Sequence, residues 1–260
     1  MKLDLSLVVC VANDTRVKKL LDSVNHYCEV VVVLNGATNQ VKDILKEYNN
    51  TSMFSLKTVE IPDRNLSKAR NVGTINATYD KVVFYDSDCI IVGDALKLFS
   101  EKLEEFLLVD GKVEFKGDTW QSRIIKPTRE MGLPNYALCP SMGINKKILN
   151  LIGNHYFNEE IKWVEDTELN NRAFKSGVKV GTIDEITCIH DNLTLKQDLK
   201  SAYRYGSGVK KSAYRGLHKK RPTANWNLIW PIMKKRFISG IYYFFWNINY
   251  CFGYIFTKGK

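Results

Sequence analysis

Continuous apolar runs alternate, through the first third of the chain, with segments in which apolar residues recur every three or four positions. A continuous run is typical of a strand buried on both faces, whereas the three-to-four spacing is typical of a helix. The pattern predicts strands at residues 5–11, 30–34, 54–61 and 81–85, separated by helices around 17–24, 41–48 and 66–75. Strands that alternate with helices in this way predict a parallel sheet with helices on both faces.

The pattern changes after residue 95 and predicts a mixture of helices and shorter strands. Residues 96–107 and 166–175 have helical spacing, and residues 178–183 and 186–190 are short strand-like runs. Asp110-Gly111 is typical of a hairpin turn, and residues 117–143 are predicted to be rich in loops. No Pro-, Gly- or Ser-rich linker separates the two halves, so we expect an antiparallel part of the same domain.

Polar residues cluster directly after three of the predicted strands, at Asn13-Asp14, Asn35-Gly36 and Asp86-Ser87-Asp88. Ligands of parallel α/β sheets bind beyond the carboxyl ends of the strands, so we expect these clusters to share one site. Asp86 and Asp88 are separated by one residue, and both carboxylates can face the same ligand. Their oxygens suit Mg²⁺ or Mn²⁺, which would neutralise a departing diphosphate. Because Asp-x-Asp alone is common, the alternative is a solvated turn.

Residues 66–73, Leu-Ser-Lys-Ala-Arg-Asn-Val-Gly, precede an apolar strand that ends in Tyr-Asp-Ser-Asp at 85–88. This order resembles the family 2 glycosyltransferases of the GT-A fold, which typically show Leu-Ser-x-Ala-Arg-Asn-x-Gly before a strand and Asp-x-Asp. Pro-Ser-Met-Gly-Ile-Asn-Lys-Lys at 140–147 is similar to the family's small-residue turn. Trp-Val-Glu-Asp-Thr-Glu-Leu at 163–169 resembles its Glu-Asp element. The resemblance covers roughly residues 5–190 in the right order, so chance is a poor explanation.

The resemblance implies an α/β GT-A fold with a Rossmann-like, mostly parallel sheet and helices on both faces. A smaller antiparallel part would face the acceptor, and a basic helical tail would follow. The implied segments are a nucleotide-sugar-binding half (1–95), an acceptor-binding and catalytic half (96–192) and a C-terminal extension (193–260). The implied activity is inverting transfer of a sugar from a nucleoside diphosphate, with UDP the expected carrier. The acceptor would be a hydroxyl on a glycan, a lipid carrier or a small metabolite.

The same resemblance implies roles for individual residues. Asp88 and Asp86 would bind Mn²⁺ or Mg²⁺, with His190 as a further ligand; the alternative for His190 is a hydrogen-bonded strand residue. The positions implied to bind the nucleotide sugar are Ala12, Asn13, Asp14, Asn35, Lys68, Arg70, Asp86, Ser87 and Arg204. Asn35 replaces the family's acidic residue at the uracil edge, and an amide can also pair with uracil. Lys68 has the alternative of a solvated helix charge.

Asp166 is the predicted general base, and Glu165 is predicted to share the catalytic site. Transfer requires that the acceptor hydroxyl lose its proton as it attacks the anomeric carbon, and a nearby carboxylate accepts that proton. The alternative is that Asp166 only caps its helix, although adjacent Glu165 adds more charge than a cap requires. If both are buried, repulsion between them raises one pKa, which suits a base. No second nucleophilic carboxylate is evident, so we expect a single displacement with inversion.

The net charge of +10 is concentrated near the C-terminus. Residues 196–260 carry 14 Lys or Arg and one acidic residue, Asp198, whereas the remainder carries 24 basic and 27 acidic residues. We therefore expect the tail to meet an anion. Nucleic acid is not the expected partner, because no zinc-finger, RNP or helix-turn-helix pattern is present.

Six scattered cysteines without Cys-x-x-Cys spacing predict reduced thiols in a cytoplasmic protein.

Two segments of the tail have their own interpretations. Residues 203–208, Tyr-Arg-Tyr-Gly-Ser-Gly, resemble an element of some family members that would close over the diphosphate; the alternative is a flexible basic loop. Residues 237–256 contain no charged residue and follow Lys234-Lys235-Arg236. Their aromatic and Asn content favours the headgroup region of an anionic membrane over a bilayer span. We expect peripheral attachment at the cytoplasmic face, with packing on the body or a dimer contact as alternatives, and the oligomeric state stays open.

Two other classes of protein stay open. Sugar-1-phosphate nucleotidyltransferases share a similar sheet and acidic metal site. They carry a Gly-rich, Arg-containing loop after the first strand, where this chain has Val-Ala-Asn-Asp at 11–14. A non-catalytic module that binds nucleotides or glycans is the third interpretation, because a fold does not by itself establish an activity.

Overall fold

The computed structural model of the chain describes residues 2–131, 135–217 and 224–258. Described residues within 1–114, 134–160 and 165–190 form one compact unit, and those within 115–133, 161–164 and 191–260 form a second. The first unit contains the sheet, and the second consists of helices and connecting segments. The functional division at residues 95 and 192 stays a prediction.

Strands and helices alternate through the first unit. The strands are β1 (Lys2–Val11), β2 (Tyr27–Asn35), β3 (Ser55–Ile61), β4 (Lys81–Asp86), β5 (Cys89–Ile91), β6 (Leu108–Phe115), β7 (Met142–Asn145) and β8 (Val180–His190). The α-helices are α1 (Val17–Asp22), α2 (Asn39–Lys46), α3 (Leu66–Asn76), α4 (Ala95–Glu105), α5 (Trp120–Arg129), α6 (Leu149–Ile152), α7 (Glu165–Lys175), α8 (Leu195–Tyr214), α9 (Ile229–Lys235) and α10 (Phe237–Phe256). The predicted elements of the first 95 residues are therefore confirmed.

The strands form one sheet in the order β3-β2-β1-β4-β7-β6-β8-β5. β3, β2, β1 and β4 are parallel. β7 runs antiparallel to both β4 and β6, and β5 runs antiparallel to β8. A parallel half that is followed by an antiparallel part confirms the predicted α/β class.

Apolar side chains of the parallel strands alternate between two cores, one on each face of the sheet. Leu5, Leu7 and Val9 of β1 pack in one core, and Val8 packs in the other. Both faces are therefore covered, which accounts for the uninterrupted apolar runs. Gly73 lets α3 lie close to β1, because a Cβ there would come within 2.4 Å of a Val8 methyl carbon.

The predicted hairpin turn at Asp110-Gly111 is wrong, because both residues lie inside β6. A Cβ at Gly111 would lie 2.4 Å from Ser141 Oγ and 2.5 Å from the Phe99 ring. The glycine is therefore required because the Phe99 ring of α4 and the Ser141 side chain approach this point of β6 closely. Such a close approach is another reason for an isolated glycine in a strand.

The structure corrects two other local predictions, the first of them in part. The loop-rich segment 117–143 contains α5, which is capped by the Thr119 hydroxyl accepting from the Ser122 amide; residues 132–134 of this segment lie outside the described residues. The two short strands at 178–183 and 186–190 are one strand, β8. Asp184 and Glu185 continue this strand with exposed side chains, so their polarity does not mark an interruption.

The second unit is built around α8 and α10. Residues 203–208 lie inside α8, so the flexible-loop alternative is wrong. A Cβ at Gly206 would lie 1.9 Å from the Tyr250 carbonyl oxygen, and Gly253 has the same relationship with the Tyr203 carbonyl oxygen. These glycines let the two helix backbones touch.

The tail contains no membrane-crossing helix within the described residues, since none is both long and apolar enough to cross. Residues 218–223 and 259–260 of the predicted tail lie outside the described part of the chain. All six cysteines are free, as predicted.

Candidate active site

The strand register assembles one cluster of polar groups at the carboxyl ends of β1 and β4. Cys10 is paired with Asp86, so the ends of these two strands are adjacent. Cys89 of β5 is paired with His190 of β8. This pairing brings His190 beside Asp88, with Nε2 3.5 Å from Asp88 Oδ2. Two of the three residues predicted to share a metal ion, Asp88 and His190, therefore lie together.

Arg16, which the sequence did not single out, lies against both aspartates of this cluster. Its Nη2 donates to Asp14 Oδ2 at 2.7 Å and to Asp88 Oδ2 at 3.2 Å. Burial opposes ionisation of Asp14, but the hydrogen bonds from Arg16 outweigh it and lower the pKa of that carboxyl. Partial burial raises the pKa of Asp88, although His190 and Arg16 act in the opposite direction. No sequence motif marks a loop arginine of this kind.

Arg70 of α3 joins the Asp-x-Asp motif to the Glu-Asp pair at the start of α7. Its side chain is 4% exposed, with Nη1 2.6 Å from Glu165 Oε1 and Nη2 3.3 Å from Asp86 Oδ1. The guanidinium also lies over the Phe157 ring, 5.5 Å from its centroid. A buried cation shared by two carboxylates holds them in one place. The contact of Arg70 with a nucleotide stays a prediction.

Asp166 is anchored by backbone amides and has a perturbed pKa. Thr167 N donates to Oδ1 at 2.7 Å, and Cys139 N donates to Oδ2 at 3.3 Å. Partial burial, followed by the charge of Glu165, raises the pKa of Asp166 to about 6, although Arg70 and the two amides oppose the rise. A carboxyl with this pKa is unprotonated at neutral pH yet basic enough to accept a proton.

One carboxylate oxygen of Glu165 accepts a hydrogen bond, and the other has no partner among the described residues. Oε1 accepts from Arg70, whereas Oε2 is buried and has no hydrogen-bond partner among the described residues. A buried polar atom without a partner is costly and marks a place where a ligand group or water can bind. The pair at 165–166 therefore includes one buried acceptor whose hydrogen-bonding capacity the described residues do not use.

Asn71 ties a neighbouring loop to α3. Its Nδ2 donates to the Phe157 carbonyl at 2.8 Å and to Glu159 Oε1 at 3.0 Å, and its Oδ1 accepts from Phe157 N at 2.9 Å. Asn65 Nδ2 donates to the Glu159 carbonyl at 2.9 Å. These bonds fix the loop that carries the ring beneath Arg70. The motif at 66–73 contains Asn71, but its spacing gave no indication of this role.

The other predicted nucleotide-binding positions near the ends of β1 and β2 differ in exposure and in hydrogen bonding. Asn13 is exposed, and the Ala12 carbonyl accepts from Thr38 N at 2.9 Å. Asn35 is buried at the end of β2, where its Oδ1 accepts from Asn65 N at 3.0 Å.

Three further positions complete the predicted set. The Ser87 hydroxyl hydrogen-bonds the Asp14 carboxylate. Lys68 Nζ lies 2.7 Å from Asp63 Oδ2 at the protein surface. This surface ion pair agrees with the alternative interpretation of Lys68 as a solvated charge on the helix. In the second unit, the Arg204 guanidinium lies over the Trp163 ring, 4.3 Å from its centroid. Trp163 has a φ of +76°, which is rare for a bulky residue.

The donor set at Asp88 fits a hard divalent cation. Asp88, Cys89 and His190 each offer one ligand atom, and these atoms lie within 4.8 Å of one another. Carboxylate oxygen and imidazole nitrogen are donors that Mn²⁺ accepts. The Cys89 sulfur is a soft donor, which Mn²⁺ and Mg²⁺ prefer less than carboxylate oxygen, and burial raises the pKa of this thiol well above its ordinary value. The Asp86 side chain is 41% exposed and can turn towards the same ion.

The mixed sheet, the paired aspartates at the end of β4 and the Glu-Asp pair at the start of α7 define the GT-A class of fold. Residues 6–158 match the model of the family described as Glycosyl transferase family 2. The match covers more than half of the chain, and the chain belongs to this family.

Among known proteins, the chain is similar to poly(ribitol-phosphate) beta-N-acetylglucosaminyltransferase TarS from two strains of Staphylococcus aureus, Mu50 and MW2. The identity is 27% over 183 residues, which cover 67% of this chain and 32% of TarS. The chain thus spans about a third of the length of these curated relatives.

Two solved structures show the same fold. TarS 1–349 in complex with UDP-GlcNAc has a TM-score of 0.57 at 22% identity, over 79% of this chain and 66% of that one. Mannosyltransferase PcManGT from Pyrobaculum calidifontis, in complex with GDP-Man and Mn²⁺, has a TM-score of 0.62 at 16% identity, over 97% and 73%. These likenesses confirm the predicted GT-A fold.

Proposed function

We propose that this chain is an inverting glycosyltransferase that moves a sugar from a nucleoside diphosphate to a hydroxyl acceptor. The observation that carries the proposal is the Arg70 bridge, because one guanidinium contacts Asp86 of the Asp-x-Asp motif and Glu165 of the predicted catalytic pair. A leaving diphosphate and an attacking hydroxyl must meet at one carbon, so the groups that serve them must lie close together. Family membership supports the same conclusion.

Asp88, Asp86 and His190 would hold Mn²⁺ or Mg²⁺ at the diphosphate. A bound divalent cation neutralises charge that develops on the leaving diphosphate, so no protein acid is required there. The Mn²⁺ in the PcManGT complex supports this assignment. The Ser87 hydroxyl and Arg16 hold Asp14 and Asp88 at the mouth of the same strands.

Asp166 accepts the proton of the acceptor hydroxyl. The oxygen of that hydroxyl attacks the anomeric carbon, the bond from this carbon to the diphosphate oxygen breaks, and the nucleoside diphosphate leaves with the bonding electrons. Because the attack occurs once and opposite the leaving group, the configuration inverts. The amides of Thr167 and Cys139 fix the Asp166 carboxylate, so little reorganisation is needed as the proton transfers.

UDP is the proposed carrier. The TarS complex with UDP-GlcNAc supports it, whereas the PcManGT complex contains GDP-Man. Asn35 lies at the end of β2 with its Oδ1 fixed by Asn65 N, so its amide is oriented in advance. The proposed acceptor is a hydroxyl of a glycan, a lipid carrier or a small metabolite.

A thermal-shift panel of UDP and GDP, with and without Mn²⁺, tests the donor and the metal together. At about a hundred times its Kd, a nucleotide stabilises by roughly 2.7 kcal/mol, which is several degrees for a chain of this size. We expect a shift with UDP that requires Mn²⁺ and is lost in Asp88→Asn but kept in the exposed control Asp43→Asn. Equal shifts without the metal would contradict the metal assignment.

Donor turnover tests the enzymatic part of the proposal. We expect slow Mn²⁺-dependent hydrolysis of a UDP-sugar in the absence of an acceptor, and we expect Asp166→Asn to abolish it while UDP binding is retained. Nucleotide binding without any turnover of UDP- or GDP-sugars, with or without a panel of alcohol acceptors, would identify a non-catalytic module instead.

A further inference from the structure

One face of α10 is apolar and exposes large side chains within residues 237–245 and 252–256. Large hydrophobic side chains on this face are between 38% and 70% exposed: Phe237, Ile238, Ile241, Phe244, Phe245, Phe252, Ile255 and Phe256. At 100° per residue these positions fall within one arc of about 120°. Together they form a patch on the order of several hundred Å², a size that often marks a binding surface on a soluble protein. We call this set the α10 stripe.

The opposite face of the same helix is already used for packing. Tyr250 and Tyr254 belong to an apolar cluster with residues of α8, and Gly253 brings the two helix backbones into contact. The Tyr242 hydroxyl donates to the buried Asp198 carboxylate of α8. The α10 stripe is therefore not the core-facing side of the helix. A separate partner is needed to remove it from water.

Basic residues flank the stripe. Lys234, Lys235 and Arg236 directly precede α10, and Lys258 follows it. No Asp or Glu occurs anywhere from residue 199 to the C-terminus. Trp226 and Trp230, at the start of the same helical region, are 43% and 64% exposed. Aromatic rings at the ends of an apolar face, beside Lys and Arg, are typical of a helix that lies in the headgroup region.

We propose that the α10 stripe docks on an anionic lipid surface, with α10 lying in the plane of the interface. Its eight apolar side chains would enter the boundary between headgroups and acyl chains, while the basic residues at either end contact lipid phosphates. The described helices are not suited to cross a bilayer, which agrees with a surface position. This proposal does not depend on glycosyl transfer.

Charge favours lipid over a second copy of this chain as the occupant. If two stripes packed together, the basic flanks of both helices would be brought close, and no carboxylate from residue 199 onwards could compensate them. An anionic bilayer supplies the opposite charge along the whole stripe. A dimer formed through the stripe is therefore an outcome of the test and not the proposal.

Vesicle flotation of the full chain tests the apolar contact. The vesicles are phosphatidylcholine with or without phosphatidylglycerol, and the variant is Phe244→Ser/Phe252→Ser. We expect binding to the anionic vesicles, weakened by about tenfold or more in the double variant, because two half-exposed rings no longer enter the membrane. The matched control is Phe174→Ser on α7, since Phe174 is 77% exposed in the other unit.

The charge contribution needs its own variant. Lys234→Gln/Lys235→Gln/Arg236→Gln should weaken binding on the order of a hundredfold at low salt, at about 1 kcal/mol for each basic residue near the surface. The control is Lys46→Gln on α2, whose side chain is 71% exposed. Added salt should weaken binding of the wild type more than of the triple variant.

The outcomes can be told apart because the substituted side chains are exposed and none of them belongs to the apolar core clusters of the described residues. Unchanged melting temperatures in the variants, together with lost vesicle binding, support the proposal. Absence of binding to phosphatidylglycerol vesicles, or equal binding by wild type and the double variant, overturns it. A concentration-dependent dimer that Phe244→Ser/Phe252→Ser dissociates, without vesicle binding, would assign the stripe to a second copy instead.

Discussion

Arg16 Nη2 lies 3.2 Å from Asp88 Oδ2, so a fixed positive charge sits against the carboxylate proposed to bind a divalent cation. The same guanidinium is held by two hydrogen bonds from its side chain to Asp14. Asp88 therefore has a cationic partner already, and Mn²⁺ must share this carboxylate with Arg16 or displace it. Repulsion between the two cations would be modest, since the Arg16 side chain is 34% exposed and its charge is screened.

Arg16→Gln is expected to bind Mn²⁺ more tightly than the wild type in the absence of nucleotide. The gain should be a few-fold, in line with the removal of one partly screened charge. Isothermal titration of the nucleotide-free protein with Mn²⁺ measures it, and Arg123→Gln is a control arginine in the second unit. Weaker Mn²⁺ binding by Arg16→Gln would show instead that Arg16 positions Asp88 for the metal.

The raised pKa of Asp166 predicts how the rate of sugar transfer depends on pH. This pKa is raised to about 6, so the carboxylate that we propose as the general base is lost as pH falls through that value. The rate of transfer should therefore rise with pH through about 6 and then level off. Asp166→Asn should lower kcat by about 10²- to 10⁴-fold and remove this dependence. A wild-type midpoint near the ordinary pKa of an aspartate would argue against Asp166 as base.

Glu165→Gln separates positioning from proton transfer. The charge of Glu165 is a cause of the raised Asp166 pKa, so its removal should move the midpoint of the rate profile to lower pH. We expect a smaller loss of kcat than in Asp166→Asn, because Glu165 chiefly holds Arg70. If Glu165→Gln instead lost as much kcat as Asp166→Asn and abolished the profile, its unpartnered Oε2 would be the better candidate for the base.

The raised pKa of Asp110 predicts how the free energy of unfolding depends on pH. Asp110 accepts from Leu138 N at 3.1 Å, and partial burial raises its pKa from 3.8 to about 7. The folded chain thus keeps a proton that the unfolded chain releases, so the free energy of unfolding falls as pH rises from about 4 to about 7. Asp110→Asn should be more stable than wild type at about pH 8, by at most a few kcal/mol, and equal to it near pH 4. Urea unfolding at both pH values measures the difference, and equal stability at about pH 8 would contradict the expectation.

The parallel half of the fold could be predicted from sequence because each strand is buried on both faces, so its apolar run is unbroken. Gly111 shows where that reasoning fails. Asp-Gly is a turn signal, and only the positions of Phe99 and Ser141 reveal that the glycine is needed for close packing in β6. Such a requirement comes from residues distant along the chain, so local pattern does not contain it.

The site shows the same limit. The residue types and the order of Asp86, Asp88, Asp166 and His190 were predictable from the motifs and the family resemblance. The connections between them were not, because Arg16 and Arg70 find their carboxylate partners through tertiary structure: Arg70 contacts Glu165 across 95 positions of sequence. The exposure of Ile75, at 71%, next to the buried polar residue Thr74 likewise shows that α3 does not present the apolar face its spacing suggested.

Gly253→Ala should destabilise the second unit, although two effects compete. In a helix interior, alanine is favoured over glycine by roughly 0.5–1 kcal/mol. A Cβ at Gly253, however, would lie 1.9 Å from the Tyr203 carbonyl oxygen, and a backbone atom cannot move aside without separating α8 from α10. Overpacking of this kind costs about 1–3 kcal/mol, so the steric cost should exceed the gain in helix propensity.

Gly117→Ala is the matched control, because its nearest contacts would be ordinary ones at 3.5 Å and 3.7 Å to flexible side chains. Urea unfolding should give a lower midpoint for Gly253→Ala than for both the control and the wild type, and a midpoint equal to or above the wild-type value would mean that the two helices are not held in backbone contact.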